Sequence, residues 1–372
     1  MEDGRKDLRV LQVTARYLPY IGGVENHVYQ VSKRLVQNGV EVTVLTTDPE
    51  NKLPAYETRE GVKILRVRAW PAKKDFYFAP EIFPKIMQRK WDLVHIQGYH
   101  TLVPPLAMLA ARRARIPYII TFHGGGHSSK LRTSFRRTQR KLLLPFLDHA
   151  ERLVAVAQFE IPFYGKELNI PAQRFCLIPN GTDLVSIPFS KKASSPHKPL
   201  IVSIGRLERY KGHQDVIAAM PKVIESIPEA RLWIAGSGPY EAELRDLINK
   251  SGLQDKVDIH AVAVSERERM AAELSEAALV VLLSEFETHP LSILEAVSLG
   301  IPTLVADTSG LHELAEKRLA RSIPLHSSPE TIAAAIIEQI RQPQKPPSFQ
   351  LPTWDDCAGQ LQNLYQSVVK PV

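Results

Sequence analysis

The sequence predicts an α/β protein with two doubly wound domains, each built around a parallel sheet that is covered by helices. Three observations support this prediction. Apolar, strand-like segments alternate with helical segments along the chain, as they do in parallel sheets. The strand-like segments are almost continuously apolar, which is typical of strands buried on both faces. The alternation stops in the polar, proline-containing stretch 184–199 and then restarts, which indicates a linker.

The length of 372 residues also predicts two domains. The first half has, in order, strand 8–15, a glycine turn, helix 24–37 ended by Gly39, and strands 40–47, 62–70, 93–97, 118–122 and 153–157. In the second half, strands 200–204, 231–235, 257–262, 279–283 and 303–306 alternate with helices 213–227, 240–250, 265–277 and 291–299. A proline-rich stretch, 343–352, precedes a last helix, 354–369.

These elements predict a Rossmann-like domain over 1–185, a second one over 186–352, and a C-terminal helix, 353–372, that packs back on the first domain. Ligands of doubly wound sheets bind at the C-terminal ends of the strands. With two sheets facing each other, we expect the ligand in a deep cleft between the domains.

The composition is that of a soluble globular protein, with 44% hydrophobic and 23% charged residues. No apolar run approaches the 18 residues of a membrane-spanning helix, and the charged N-terminus does not resemble a secretory signal. Two distant cysteines, Cys176 and Cys357, show neither metal nor redox spacing. We therefore expect a cytoplasmic protein.

The charge is uneven. Residues 1–185 contain 28 Lys and Arg against 17 Asp and Glu, a net +11, whereas the remainder is −4. The basic half predicts an anionic partner. Six cations crowd one amphipathic stretch, namely Lys130, Arg132, Arg136, Arg137, Arg140 and Lys141. Such a helix can lie on an anionic membrane, at about 1 kcal/mol per cation, or pack in the core with a solvated charged face. The basic stretch has neither a platform of aromatic side chains on which bases could stack nor a recognition-helix motif, so we expect no nucleic-acid partner.

Two carboxylates stand out in the segment 284–296. Glu287 lies in a loop, and Glu295, separated from it by seven residues, lies inside a predicted helix. Pro290 suits the first turn of that helix, so the amides of Leu291 and Ser292 would offer free N–H groups at its positive end. A phosphate seat beside two carboxylates suits a nucleotide sugar. The alternative is an ordinary amphipathic helix after a buried strand.

Glycine-containing turns follow predicted strands in both halves of the chain. Gly22 and Gly23 open the first helix, where backbone can approach an anionic ligand closely. Gly236 and Gly238 form a similar loop in the second domain. The first turn is not a Gly-x-Gly-x-x-Gly fingerprint, which argues against a nicotinamide dinucleotide. A simple tight turn is the alternative.

Charged and polar side chains occupy other predicted strand ends. Arg206 and Lys211 are placed to hold phosphate oxygens, unless the loop is merely solvated. His123, before three glycines, is expected to be exposed to the cleft and to bond a polar ligand, or else to be a structural histidine. Asn180 and Gly181 form a turn signal whose function depends on the other motifs.

These motifs occur together and in order. The combination of Gly-Gly-Val-Glu at 22–25, Pro-Asn-Gly-x-Asp at 179–183, Gly-Arg-Leu…Lys-Gly at 205–212 and Glu-x7-Glu-Ala at 287–296 resembles the retaining glycosyltransferases of family 4. That group has the GT-B fold and is related to glycogen synthase. The resemblance covers nearly the whole chain and implies an acceptor-binding first domain and a donor-binding second domain.

The resemblance also implies site roles. Arg206 and Lys211 match the pair that binds the donor diphosphate, Glu295 the carboxylate on the ribose hydroxyls, and Glu287 the carboxylate near the reacting carbon. Gly23 matches the loop glycine near the donor phosphate and the acceptor, and His123 the histidine that contacts the transferred sugar. The donor-binding set then also includes Gly22, Asn180, Gly236, Gly238, His289, Pro290, Leu291 and Ser292.

The implied enzyme is a retaining, metal-independent hexosyltransferase without a cofactor, whose substrate is a UDP- or GDP-sugar. With the basic first half, we expect a sugar or lipid-linked acceptor, reached from the cytoplasmic membrane face. The chain has Thr-His-Pro at 288–290 where the family often has Gly-Phe-Gly, and Ala-Val-Ala at 261–263 where a glycine is usual. The donor sugar and the base therefore stay open. Alternatives are a non-catalytic sugar- or membrane-binding GT-B module, a nucleotide-sugar epimerase and a phosphorylase.

Overall fold

A computed structural model describes residues 8–20, 22–72, 77–88, 90–124, 143–182, 198–262, 266–347 and 351–369. The described residues form two compact units. The first unit contains those up to Gly181 together with those from Pro352 onward, and the second contains those from Thr182 to Leu351. The basic stretch 130–141 and most of the predicted linker lie outside the described residues.

Each unit has one mainly parallel sheet. The first sheet has the order β3-β4-β2-β1-β5-β6-β7-β8, in which only β3 runs antiparallel to its neighbour. Its strands are β1 Arg9–Val13, β2 Glu41–Asp48, β3 Tyr56–Arg59, β4 Val62–Arg68, β5 Leu93–Gln97, β6 Tyr118–Phe122, β7 Arg152–Ala155 and β8 Phe175–Leu177. The second sheet has the order β11-β10-β9-β12-β13-β14, and all its pairs are parallel. Its strands are β9 Leu200–Ile204, β10 Arg231–Ala235, β11 Val257–His260, β12 Ala277–Leu282, β13 Thr303–Ala306 and β14 Arg321–Ile323.

Helices connect these strands. In chain order they are α1 Gly23–Gln37, α2 Ile82–Met87, α3 Val103–Ala114, α4 Glu160–Leu168, α5 His213–Ser226, α6 Glu241–Lys250, α7 Arg267–Ser275, α8 Leu291–Ser298, α9 Ser309–Glu316, α10 Pro329–Arg341 and α11 Trp354–Val368. Residues 143–147 are also helical. No helix in the described part of the chain is long and apolar enough to cross a membrane.

The predicted α/β class with two Rossmann-like halves is confirmed, because strands and helices alternate and the central strands are buried on both faces. Every residue of β5 and β6 is buried, and each unit has its own apolar core. Both sheets change direction next to their first strand, between β1 and β5 and between β9 and β12. Ligands of open α/β sheets bind outside such switch points, at the carboxyl ends of the strands.

The last helix, α11, belongs to the first unit. It begins with a capping box in which Thr353 and Asp356 satisfy each other's backbone amides. Trp354 is buried, with its ring 5.9 Å from that of His27 on α1. A Cβ at Gly181 would lie 2.2 Å from the amide nitrogen of Trp354, so only glycine lets this loop reach the start of α11. The Asn-Gly turn therefore has a packing role.

Candidate functional site

The clearest pairing in the second unit joins Lys211 and Glu287. Lys211 ends a short 3-10 turn after β9, and Glu287 lies in the loop after β12. Because β9 and β12 are adjacent and parallel, their carboxyl ends bring the two side chains together. Nζ of Lys211 donates a hydrogen bond to Oε1 of Glu287, and the side chains are only 15% and 13% exposed. The pair is therefore largely removed from solvent.

The loop that carries Glu287 is held on several sides. The Ser284 hydroxyl donates to Oε1 of Glu287 at 2.7 Å, and the Glu287 amide donates to Oγ of Ser309 at 2.9 Å. The amide of Gly310 donates to the Glu287 carbonyl at 2.9 Å. A Cβ at Gly310 would lie 1.9 Å from the Thr288 carbonyl oxygen, so only glycine allows this approach. The carboxylate is thereby fixed before any ligand binds.

The turn that carries Lys211 is locked to the same loop. The Glu285 amide donates to the Tyr210 carbonyl at 2.8 Å. Gly212 has a φ of +76°, and a Cβ there would lie 2.3 Å from the Leu283 carbonyl oxygen. The glycine at 212 thus serves both the left-handed backbone and the contact between the two strand-end loops.

Burial by itself would lower the pKa of the Lys211 ammonium. The charge of Glu287, the neighbouring Tyr210 and the hydrogen bond to Glu287 together outweigh burial, and the pKa is raised above its ordinary value. Lys211 is therefore a charged ammonium at neutral pH. It lies where β9 and β12 end, which is where an anionic ligand of this sheet would bind.

Arg206 has a fixed backbone and an exposed side chain. His213 Nε2 donates to the Arg206 carbonyl at 3.3 Å, while the Ser203 hydroxyl donates to His213 Nδ1 at 2.8 Å. Burial lowers the pKa of His213 to about 4, so this brace is uncharged. The Arg206 side chain is 59% exposed, and its Nε lies 3.6 Å from Oε1 of Glu208. An exposed guanidinium with one loose ion pair can turn toward an anion.

Gly236 and Gly238 are required by the packing of two loops. A Cβ at Gly236 would lie 1.9 Å from the Gly205 carbonyl oxygen, and one at Gly238 would lie 2.4 Å from the Leu207 carbonyl oxygen. The Leu207 amide also donates to the Ser237 carbonyl at 3.0 Å. Both glycines therefore have a steric reason that is independent of any ligand.

Helix α8 begins at Leu291, as the sequence predicted, but the place of Pro290 differs from the prediction. Pro290 is its N-cap, with ψ at 91°, and does not belong to the first turn as expected. Its carbonyl accepts from the amides of the third and fourth helical residues, at 3.0 and 3.1 Å. The amides of Leu291 and Ser292, at the first two positions, have no acceptor within the helix. Glu295 lies four residues after Leu291, about one turn along the helix, and is half-buried, as is His289.

The predicted residues of the first unit lie at the ends of β1 and β6 and beside α1. Gly22 precedes α1, and a Cβ there would lie 2.4 Å from Oε2 of Glu25, whose other oxygen is 3.5 Å from Nε of Arg16. A Cβ at Gly23 would meet nothing within 4 Å. The backbone at Gly23 therefore has open space beside it, while Gly22 lies against the carboxylate of Glu25, the last residue of the Gly-Gly-Val-Glu motif, to which the sequence assigned no separate role.

His123, expected to be exposed, is only 9% exposed. That expectation was wrong, because the ring lies inside a polar cluster. His123 Nε2 donates to Oε1 of Gln97 at 2.7 Å, and His100 Nε2 donates to the His123 carbonyl at 3.0 Å. The His27 ring stands edge-on at 4.8 Å. Burial, then the nearby His27, His95 and His100, hold the pKa of His123 well below its ordinary value, so the ring is neutral.

Asn180 is buried next to this cluster. His27 Nδ1 donates to Oδ1 of Asn180 at 2.7 Å. Burial lowers the pKa of His27 to about 4, although the bond to Asn180 opposes the shift. Asn180 thus orients a neutral histidine of α1, four residues after Gly23.

The structure therefore gathers the predicted residues at the carboxyl edges of two sheets. Lys211, Glu287, the Arg206 backbone and the start of α8 share the β9–β12 edge of the second unit. His123, Asn180 and the Gly22–Gly23 turn belong to the first unit. The cleft expected between the domains stays a prediction.

Comparison with known proteins identifies the family. The model described as Glycosyltransferase Family 4 matches residues 21–186, and the model described as Glycosyl transferases group 1 matches residues 187–350. Together they span both units. The chain belongs to the family 4 glycosyltransferases, which have the GT-B fold.

Individual relatives with similar sequences are also glycosyltransferases. A GDP-mannose:cellobiosyl-diphosphopolyprenol alpha-mannosyltransferase of Xanthomonas oryzae is 27% identical over 83% of this chain and 81% of its own. One polypeptide of the phosphatidylinositol N-acetylglucosaminyltransferase of Arabidopsis thaliana is 26% identical over 98% of this chain and 83% of its own. Among solved structures, a sucrose-phosphate synthase from Thermosynechococcus elongatus superposes with a TM-score of 0.78 at 20% identity, over 97% of this chain and 98% of its own.

Sequence reasoning missed several residues that shape the site of this glycosyltransferase. Ser284 and Ser309 bind Glu287, and each follows a buried strand by two or three residues. Small hydroxyl side chains at strand ends were the available signal. In the first unit, Gln97, which accepts from His123, ends the predicted strand 93–97 and carried a comparable signal, a polar side chain at a strand end. Gln12 stood inside an apolar strand segment and gave none.

Proposed function

We propose that this glycosyltransferase moves a hexose or N-acetylhexosamine from a nucleoside-diphosphate sugar to an acceptor hydroxyl, with retention of the anomeric configuration and without a metal ion. The proposal rests on one observation above all. A charged lysine and a fixed carboxylate, Lys211 and Glu287, form a desolvated pair at the sheet edge where α8 begins. Such an edge suits a ligand that carries both phosphate and hydroxyl groups.

The cations suit the leaving group. When the bond between the sugar and the diphosphate breaks, negative charge grows on the departing phosphate oxygens. The Lys211 ammonium, the exposed Arg206 guanidinium and the amides at the start of α8 are placed to receive that charge. Each well-placed donor of this kind contributes roughly 10²- to 10³-fold in rate. Three such groups stabilise a diphosphate leaving group without a metal ion.

The carboxylates suit the hydroxyl groups of the donor. Oε1 of Glu287 accepts from Lys211 and Ser284, and Oε2 is the oxygen that we assign to a hydroxyl of the transferred sugar. Glu295, half-buried one turn into α8, is assigned to the ribose hydroxyls. These assignments follow the family resemblance, and the rigidity of Glu287 supports the first of them.

Retention fits attack on the face that the diphosphate leaves. The bond from the anomeric carbon to the phosphate oxygen breaks, and the acceptor oxygen forms its bond on the same face. The acceptor hydroxyl gives its proton to the departing phosphate oxygen. In this scheme the protein supplies positioning and charge stabilisation and needs no nucleophile of its own.

A lipid-linked acceptor, used at the cytoplasmic membrane face, is the class that we favour. The Xanthomonas relative is named for a diphosphopolyprenol acceptor and the Arabidopsis relative for phosphatidylinositol, and both of these acceptors are anionic. The net +11 of residues 1–185 matches that charge. The donor sugar and base stay open between UDP- and GDP-sugars.

The test is turnover of UDP- and GDP-sugars with polyprenyl-diphosphate and phosphatidylinositol acceptors, followed by NMR of the product anomer. We expect a retained anomer, and activity abolished in both Lys211→Ala and Glu287→Ala. Lys222→Ala is the matched control, because Lys222 forms an exposed ion pair with Glu225 on α5. Full activity in both site variants, or an inverted product, would contradict the proposal.

Other outcomes identify the alternatives. Cleavage that depends on orthophosphate indicates a phosphorylase, and interconversion of donor sugars without an acceptor indicates an epimerase. Donor binding without turnover of any acceptor indicates a binding module.

A further inference from the structure

A continuous chain of buried polar side chains runs through the first unit, from the end of β6 to the last helix. Its members are all buried, and they are His123, Gln97, Gln12, Tyr365, His95 and Thr121. The five successive hydrogen-bond distances are 2.7, 2.7, 2.9, 2.7 and 2.7 Å. Nothing in the roles assigned above uses Tyr365, Gln12 or His95.

The donors in this chain all point away from His123. The Gln97 amide nitrogen donates to Oε1 of Gln12, and the Gln12 amide nitrogen donates to the Tyr365 oxygen. Tyr365 has one proton, which is then available only for Nδ1 of His95.

This direction of donation also determines which ring nitrogen carries the proton in His95 and in His123. Nε2 of His95 keeps the remaining ring proton and donates it to Oγ1 of Thr121. At the other end, Oε1 of Gln97 faces Nε2 of His123 and can only accept, so Nε2 carries the proton.

Both histidines are neutral. Burial is the main reason why the pKa values of His95 and His123 lie well below the ordinary range. A neutral imidazole has one donor and one acceptor nitrogen. With Nε2 protonated, Nδ1 of His123 is an acceptor and cannot donate to a ligand.

We propose that Tyr365, Gln12 and Gln97 are positioning residues that hold His123 in the tautomer protonated at Nε2, so that its Nδ1 accepts a hydrogen bond from a hydroxyl of a sugar ligand. The ligand class rests on the proposed function, whereas the tautomer does not. The site then selects a group that donates, such as a hydroxyl, over one that only accepts, such as a carbonyl or a fluorine substituent.

The side chains of the hydrogen-bond chain can reverse their donor and acceptor roles only together. Reversing the His123 tautomer while keeping every bond requires both glutamine amides and both imidazoles to reverse together. Buried polar networks of this kind are specified as a whole, since each unpaired group inside would be costly. A change at Tyr365, on the last helix, is therefore felt at His123.

The experiment uses the full chain labelled with ¹⁵N-histidine, and long-range ¹H–¹⁵N spectra report which nitrogen of each ring carries the proton. A His123→Asn variant identifies the His123 signals. We expect the Nε2-protonated form in the native chain and a mixture of tautomers in Tyr365→Phe. Tyr164→Phe is the control, because this tyrosine is equally buried but accepts from Tyr99, and neither residue belongs to the hydrogen-bond chain. We expect Tyr164→Phe to leave the His123 tautomer unchanged.

A second variant, Gln97→Glu, tests the link next to the ring. A carboxylate can accept from Nε2, so the Nε2 proton stays, while its charge stabilises the imidazolium and raises the pKa of His123. An Nδ1-protonated ring in the native chain would overturn the proposal. Equal effects of Tyr365→Phe and Tyr164→Phe on the tautomer would overturn it as well.

The kinetic arm compares natural donors with deoxyfluoro analogues. In Tyr365→Phe we expect kcat/KM to fall about two- to fivefold, because only the competent tautomer binds productively. One fluorinated position should lose its effect in His123→Asn. If the His123 tautomer changes in the variants as expected but kcat/KM is unchanged for every donor, the result supports the hydrogen-bond chain. The same result contradicts a contact between His123 and the sugar.

Discussion

Lys211 and Glu287 are 76 residues apart in the sequence and form one hydrogen-bonded ion pair, because the strands that precede them are neighbours. The pair is locked from both sides, by Ser284 on the carboxylate and by the turn at Gly212 on the lysine. A preformed pair of this kind holds a cation where an anion is expected and costs no reorganisation when the ligand arrives.

The coupling of this pair is measurable. Lys211→Met leaves Glu287 buried without its cation, and we expect the free energy of unfolding to fall by about 3 kcal/mol. In the double variant with Glu287→Gln, the loss should be smaller than the sum of the single losses by about 1 kcal/mol or more. Chemical denaturation of the four proteins gives the coupling. The exposed Lys222–Glu225 pair is the control, with expected coupling below about 0.5 kcal/mol. Additive losses at the site would show that the two charges do not interact.

Arg206 should behave differently from Lys211, because its side chain is mostly exposed and only loosely paired. Arg206→Ala is expected to leave the free energy of unfolding within about 0.5 kcal/mol of the native value. The affinity for nucleoside diphosphate should nevertheless fall about tenfold or more, as lost charge-assisted hydrogen bonds predict. Calorimetric titration with UDP and GDP measures this effect. Arg206→Lys should recover only part of it, because an ammonium lacks the planar fork of a guanidinium. Unchanged affinity in Arg206→Ala would remove this residue from the donor site.

Much of the fold was predictable because the central strands are apolar on both faces. The predicted bounds of β5, β6 and β10 coincide with the observed ones. The edge strand β3 was missed, since Tyr56–Arg59 is largely exposed and carries no apolar alternation. Helix α10 was also missed, although Ser328 as N-cap and Pro329 as the first helical residue are recognisable start signals.

The positions of the candidate residues at strand ends were predictable from the sequence, but the contacts between these residues were not. Motifs at strand ends placed Lys211 and Glu287 at one edge, whereas their pairing depends on β12 lying beside β9, which no local pattern specifies. The chain from Tyr365 to His123 depends on register in the same way. Gln12 pairs with His95 across β1 and β5, and Gln97 pairs with Thr121 across β5 and β6. In sequence these residues look like interruptions of apolar strands.

Glycine-to-alanine substitutions should change stability in opposite directions, depending on whether the glycine is needed for close packing or only adds backbone flexibility. Gly236→Ala puts a Cβ 1.9 Å from the Gly205 carbonyl oxygen, and the two loops must move apart. We expect the free energy of unfolding to fall by about 2 kcal/mol. Gly359→Ala is the control, because this glycine lies within α11 and a Cβ there would meet nothing within 4 Å. It should raise stability by about 0.5–1 kcal/mol. Thermal denaturation compares the two, and a stable Gly236→Ala would mean that these loops do not pack as observed.

Stability should fall in mild acid, and two histidines give the reason. Burial lowers the pKa values of His27 and His213 to about 4, while an unfolded chain titrates near its ordinary value of 6.5. Between these pH values the unfolded state binds more protons than the folded state. The free energy of unfolding therefore decreases as pH falls from 6.5 towards 4. At pH 5 each group should contribute a loss of about 2 kcal/mol relative to pH 7.5.

His27→Asn and His213→Gln isolate these contributions, because each amide keeps the one hydrogen bond that its histidine donates, from Nδ1 to Asn180 and from Nε2 to the Arg206 carbonyl. Denaturation curves at pH 7.5 and pH 5 should show a smaller acid loss in each variant than in the native chain. The same acid loss in all three proteins would mean that both rings titrate in the fold as they do in the unfolded chain. A neutral, oriented His27 beside His123 could not then be maintained at pH 5.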